Sequence, residues 1–117
     1  FREYLYLAEE GIASLNDINR AIRDGYAVRT AAIGPFETID IAGLDLIQTV
    51  SAEISPSLCN DSEPNPLYDT KLKQGRSGIE DGAGFLEYED ESTEITRSRD
   101  DTLITIRRAI ESTTDRA

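Results

Sequence analysis

The densest apolar sequence in the chain runs from Pro35 to Ile54, and Gly43 cuts it in two. That cut limits the fold more than any other feature. Pro35 suits the first turn of a helix, where its missing N–H is no loss. Phe36, Ile39 and Ala42 then recur at spacings of three, along one helix face. Leu46, Ile47, Val50 and Ile54 continue the pattern on a second helix over 44–54. Helices this short and this apolar need cover from outside themselves, so they are expected to form a core or a subunit interface.

The rest of the chain is punctuated in the same way. Phe1, Tyr4, Leu5, Ala8 and Ile12 mark a first helix that Gly11 stops. Ser14 caps a second, with Asp17 three residues on and Leu15, Ile18 and Ile22 on its buried face. Gly25 is expected to end it in a left-handed conformation. Residues 26–33 read as a loop, one less polar than a solvated loop should be and therefore packed against something. Residues 55–65 form a second loop, rich in proline and small polar residues. Pro66 opens a short helix that Gly75 closes. Phe85 to Tyr88 alternates like a short strand or extended segment, residues 89–94 read as an acidic linker, and a last helix is expected over about 98–112. The fold class is all-α, with about five to six short helices.

Composition removes several functions. Asp and Glu number 23 against 12 basic residues, a net charge of −11, which repels phosphate backbones and anionic lipid. Nucleic acid and membrane surfaces are therefore not expected partners, although Asp17-Ile18-Asn19-Arg20 superficially suits a helix-turn-helix. No apolar run approaches the roughly 18 residues of a membrane span. One cysteine, Cys59, makes no internal disulfide, and a reducing cytoplasm is the default reading. The basic residues include only two lysines, Lys71 and Lys73. Acid excess with scarce lysine suits a salt-loving microbe and an ordinary acidic domain equally. It predicts salt-dependent folding, because self-repulsion is screened as the Debye length falls to about 3 Å at 1 M. A melting midpoint that rises with KCl checks this; a flat one rules it out.

Few residues offer chemistry. The chain has no histidine, which excludes Ser-His-Asp and Cys-His arrangements and leaves Cys59 with nothing to activate it. Adjacent carboxylates such as Glu9-Glu10 diverge on a helix and form no acid–base pair. Gly75, Gly78, Gly82 and Gly84 lack the G-x-G-x-x-G spacing of a phosphate loop, and Glu80-Asp81 would repel a phosphate. Glu89-Asp90-Glu91 lacks the alternating ligands of a calcium loop. No catalytic residue and no metal ligand set is expected.

Six short blocks carry a resemblance in order along the chain. They are Leu7-Ala8-Glu9-Glu10-Gly11; Asp17-Ile18-Asn19-Arg20-Ala21; Ile33-Gly34-Pro35-Phe36-Glu37 with Asp40 and Gly43-Leu44-Asp45; Asn65-Pro66-Leu67; Gly75-Arg76-Ser77-Gly78; and Gly82-Ala83-Gly84-Phe85 with Tyr88. Together they resemble the C-terminal helical domain of the L-3-hydroxyacyl-CoA dehydrogenases, a fold also like that of 6-phosphogluconate dehydrogenases. The last block resembles the family's closing K-T-G-x-G-F-Y-x-Y, with two departures. Glu80-Asp81 stands where the family has Lys-Thr, and Leu86 where it has the first Tyr. If that lysine holds an anionic substrate, the role is lost here. Residues 29–41 look like the branch that also holds carnitine and gulonate dehydrogenases.

The resemblance implies an NAD-dependent oxidation of a hydroxyl at C3, as in 3-hydroxyacyl-CoA oxidation in fatty acid β-oxidation. It also implies that NAD and the catalytic His–Glu pair belong to an N-terminal Rossmann domain preceding Phe1. Residues 1–88 would be the dehydrogenase-like domain and 89–117 an acidic linker with a C-terminal helix. The chain would close one wall of the cleft and make a homodimer. Ile33, Gly34, Pro35 and Phe36 are the expected contacts to an acyl-CoA-type substrate, with Gly34 allowing close backbone approach and Pro35 fixing the turn; the alternative is that they only shape the helix entry. Ile39, Leu46, Ile47 and Val50 are the expected dimer contacts. The rival reading is a free-standing acidic helical module that binds another protein.

Overall fold

A computed structural model of the chain describes residues 1–114. They are all-α, as expected, and divide into two compact units, one over Phe1–Asn65 and one from Pro66 on.

The first unit starts with α1 (Arg2–Glu9), whose Leu5 is buried. Gly11 ends it as read from the sequence. At φ +70° it lets Ile12 N–H reach the Leu7 carbonyl at 3.0 Å, the wide hydrogen bond of a glycine-terminated helix. The segment after α5 returns to this helix. Asn65 Nδ2 donates to Glu9 Oε2 at 2.7 Å, Arg2 Nη1 donates to the Asp61 carbonyl, and Cys59 is a buried free thiol.

Ser14 Oγ accepts the Asp17 N–H at 3.1 Å and starts α2 (Leu15–Ala21). Leu15, Ile18 and Ile22 are half-buried, as the stripe predicted. The expectation for Gly25 and residues 26–33 is overturned. Gly25 has no left-handed φ and ends nothing. It lies in a π-helical turn (Ile22–Tyr26) that carries the helix on into α3 (Ala27–Ala32). Alanine, valine and threonine tolerate helix well enough. No stripe marked α3 because every residue of α3 is exposed.

Ile33 breaks the run in extended backbone, and α4 (Pro35–Ala42) begins. Gly43, at φ +101° and ψ 132°, is the hinge read from the sequence. Its N–H closes α4 on the Ile39 carbonyl at 2.8 Å, and its carbonyl receives the Ile47 N–H of α5 (Leu44–Ile54) at 3.1 Å. α4 packs on α5, and a 3-10 turn (Ser55–Ser57) follows.

In the second unit α6 (Pro66–Lys73) ends as α1 does. Gly75 at φ +75° allows Arg76 N–H to bond the Lys71 carbonyl at 3.0 Å. Phe85 to Tyr88 is not a strand. Its Glu87 makes an isolated antiparallel bridge with Ala83, which also bridges Gly78. α7 (Ser92–Thr114) is longer than expected and takes in part of the supposed linker. The Glu91 carbonyl accepts the Glu94 and Ile95 N–H groups, so the acidic run sits at the helix N-terminus, where negative charge is favourable. Among the described residues no helix is long and apolar enough to cross a membrane.

Candidate functional site

The proline corner between α3 and α4 is held by its own side chains. Gly34 N–H donates to Glu37 Oε2 at 3.2 Å, and its carbonyl accepts Thr38 Oγ1 at 2.9 Å and Thr38 N–H at 3.1 Å. This is the reciprocal half of a capping box, with Glu37 reaching back over the first turn. It occupies the Gly34 amide, while the Phe36 and Glu37 N–H groups of the first turn have no acceptor four residues back. The corner's side chains are apolar. Ile33 is half-buried, Pro35 is open, and the Phe36 ring is 80 % exposed.

Gly34 is not required by its own backbone. Its φ of −75° is ordinary, and an added Cβ would meet only Glu37 Oε1, at 3.9 Å. The space over it is open, which is the condition for close approach of another surface. The four expected substrate contacts are consecutive residues at one corner, with apolar side chains.

The four expected dimer contacts divide two and two. Ile39 and Ile47 are half-buried, whereas Leu46 is 54 % and Val50 39 % exposed. Around them Ile41 (76 %), Leu44, Ile54 and Leu58 are also open. Leu5 and Cys59 are the hydrophobic residues that count as buried among the described residues. The chain leaves 9707 Å² accessible. A monomer of its 12.9 kDa leaves about 6,300 Å², and even two separate globules of half that mass leave about 7,600 Å². The excess over the second figure is about 2,000 Å².

The glycine cluster of the second unit is a closed turn. Arg76 Nε donates to the Gly84 carbonyl at 2.8 Å, and its Nη1 lies 3.6 Å from Glu87 Oε1. Both the backbone N–H and the hydroxyl of Ser77 donate to Asp81 Oδ2. Those bonds, the hydroxyl's foremost, hold the Asp81 carboxyl below its usual range. Tyr88 N–H bonds the Gly82 carbonyl at 2.9 Å, and the Phe85 ring stands edge-on to Tyr68, centroids 5.7 Å apart. The cluster's polar groups are thus turned on one another. Sequence reading did not single out Arg76 and Asp81 as a framework, because their partners lie eight and four residues away on an irregular path. Among the described residues no group of three or more metal-ligating side chains comes together.

Comparison with known proteins places this geometry. A family model described as the 3-hydroxyacyl-CoA dehydrogenase C-terminal domain matches residues 1–88. The chain belongs to that family. A 5-formyl-3-hydroxy-2-methylpyridine 4-carboxylate 5-dehydrogenase from Mesorhizobium japonicum is 31 % identical over 111 residues, 94 % of this chain and 36 % of the relative. A probable 3-hydroxyacyl-CoA dehydrogenase from Caenorhabditis elegans is 34 % identical over 91 residues, 75 % of this chain and 29 % of the relative. An L-carnitine dehydrogenase/betainyl-CoA thioesterase from Ruegeria pomeroyi is 46 % identical over 43 residues, 37 % of this chain and 9 % of the relative. A crystal structure of the pyridine carboxylate 5-dehydrogenase, described as an NAD+ dependent dismutase, superimposes with a TM-score of 0.88 at 29 % identity. That match covers 94 % of this chain and 36 % of the solved one. The chain spans about a third, or less, of the curated relatives it matches.

Proposed function

We propose that this chain is the C-terminal, cleft-closing and dimer-forming domain of an NAD-dependent dehydrogenase that oxidises the C3 hydroxyl of a 3-hydroxyacyl-CoA. The family match over residues 1–88 carries the reading. NAD, when bound, would supply the acceptor for the C3 hydride, and a base would take the hydroxyl proton as the carbonyl forms. An N-terminal Rossmann domain would bind NAD and supply the base. This chain's part is positional. Ile33, Gly34, Pro35 and Phe36 cover the apolar portion of the substrate and exclude water. The face of α4 and α5 joins two copies.

A second reading is a free hydroxy acid in place of the thioester. The pyridine carboxylate and carnitine relatives favour it, as does Glu80-Asp81 at the place of the family's Lys-Thr. In either case the chain alone is expected to show no NAD-linked turnover, while the enzyme containing it does. Assay of both with acetoacetyl-CoA and NADH, and with acetoacetate and NADH, separates the readings. Turnover by the 117-residue chain itself overturns both, because it places the reacting groups in this domain. A free-standing binding module would give no turnover in either form.

A further inference from the structure

The stripe of α7 does not stop where its packing does. Ile95 and Thr96, near the start of the helix, are half-buried, and α7 lies against the Ile79–Asp81 turn. The same stripe then runs on through Arg99, Leu103, Ile106 and Ile110, at spacings of four, three and four. Leu103 is 55 % exposed and Ile106 45 %. This is the alternation of a two-helix seam, with Leu103 and Ile110 at one core position and Arg99 and Ile106 at the other.

The flanks say what fits. One edge carries Asp100 and Arg107, a heptad apart; the other carries Thr102 and Ala109, small and uncharged. In a parallel pair of α7 helices Arg99 would meet its own copy inside the seam, and Asp100 and Arg107 would face the uncharged edge. In an antiparallel pair Arg99 lies level with Ile110, which its aliphatic stem can cover. Leu103 then lies level with Ile106, and Asp100 of each helix with Arg107 of the other. The present partners of these charges are within the helix and mostly exposed: Arg99 to Asp100 at 2.9 Å and Arg107 to Glu111 at 3.0 Å. Such pairs contribute little and exchange readily.

We propose that α7 pairs antiparallel with α7 of a second copy of this chain, about a two-fold axis near Ile104. The inference stands on α7 alone and needs no part of the reading of α4 and α5. A seam from Arg99 to Ile110 is about 17 Å long. By itself it covers less than the roughly 1,200 Å² of a stable interface, so it is the weaker of two self-contacts.

Sedimentation equilibrium of the chain across protein concentration tests it. Asp100→Arg and Arg107→Asp are each expected to weaken association roughly tenfold, since each change turns two symmetric attractions into repulsions. The double swap is expected to restore it, because the opposed charges return in exchanged places. Association indifferent to the single changes, or a double swap no better than either one, overturns the proposal. So does Leu103→Asp lowering the melting temperature without altering association, which would mean the seam is covered by its own polypeptide. If α7 variants change nothing while α5 variants dissociate the protein, this proposal alone fails.

Discussion

Replacing Leu46 by aspartate is expected to turn a dimeric chain into a monomer without unfolding it. Leu46 is open in the single chain, so its loss removes little from the monomer, within the half kilocalorie per mole of an ordinary surface change. In a two-fold interface the same residue is used twice. Burying the open half of a leucine side chain is worth about 0.8–1.6 kcal/mol, so two lost sites alone raise the dissociation constant at least about 10-fold. A carboxylate forced into an apolar contact adds to that. Gln48→Asp is the control, since it adds the same charge to the same helix but away from the apolar stripe. Sedimentation at micromolar concentration should give twice the chain mass for the unaltered protein and for Gln48→Asp, and the chain mass for Leu46→Asp. A monomeric starting protein, or a Leu46→Asp variant still dimeric, removes α5 from the interface. A loss of helical circular dichroism in Leu46→Asp would instead mean that the residue supports the fold.

That asymmetry between monomer and assembly also explains what the sequence made legible. Breaks in the chain were readable where one residue changes the backbone by itself. Gly11, Gly43 and Gly75 all have the positive φ that glycine tolerates, and Ser14 and Pro35 start helices as their chemistry predicts. Stripes were readable where they meet the chain's own surface, as at Leu15, Ile18 and Ile22. The misreading of α3 has two physical causes. The π-helical turn over Ile22–Tyr26 winds wider than an α-helix, so the apolar phase slips and periodicity does not carry across it. Beyond it every residue of α3 is exposed among the described residues, so no buried stripe exists to be seen. The start of α7 was missed for a third reason. An acidic run looks alike whether it is a solvated linker or the favourable N-terminus of a helix, and only the Glu91 carbonyl bonds distinguish the two. As for the candidate site, Ile33 to Phe36 stood out by resemblance. That Glu37 uses up the Gly34 amide depends on a side-chain rotamer and was not legible.

Two glycines of this chain should respond to alanine with opposite sign, and the contrast separates backbone need from outside contact. Gly78 has φ +146° and ψ −161°, a region essentially closed to residues with a Cβ, where strain is about 1–3 kcal/mol. It is also half of a tight crossing, for a Cβ on Gly84 would come within 3.2 Å of the Gly78 Cα, which is backbone and cannot swing aside. Gly78→Ala should therefore destabilise the second unit by about 1–3 kcal/mol. In a unit of this size each kilocalorie is about 4–8 °C of melting temperature. The edge-on contact of Tyr68 with Phe85 supplies a near-ultraviolet dichroism signal to follow it. Gly25 is the reverse case. It lies inside a helical run without a left-handed φ, and an added Cβ would meet nothing within 4 Å. Glycine there costs helix about 1 kcal/mol relative to alanine, so Gly25→Ala should raise the stability of the isolated chain by that amount. A residue that weakens its own helix and fills no tight space in its own polypeptide is what close approach by another surface would require. If Gly25→Ala stabilises the chain yet lowers turnover in the enzyme that contains it, the π-helical turn faces the remainder of that enzyme or its substrate. Gain in stability with turnover unchanged assigns Gly25 no such contact.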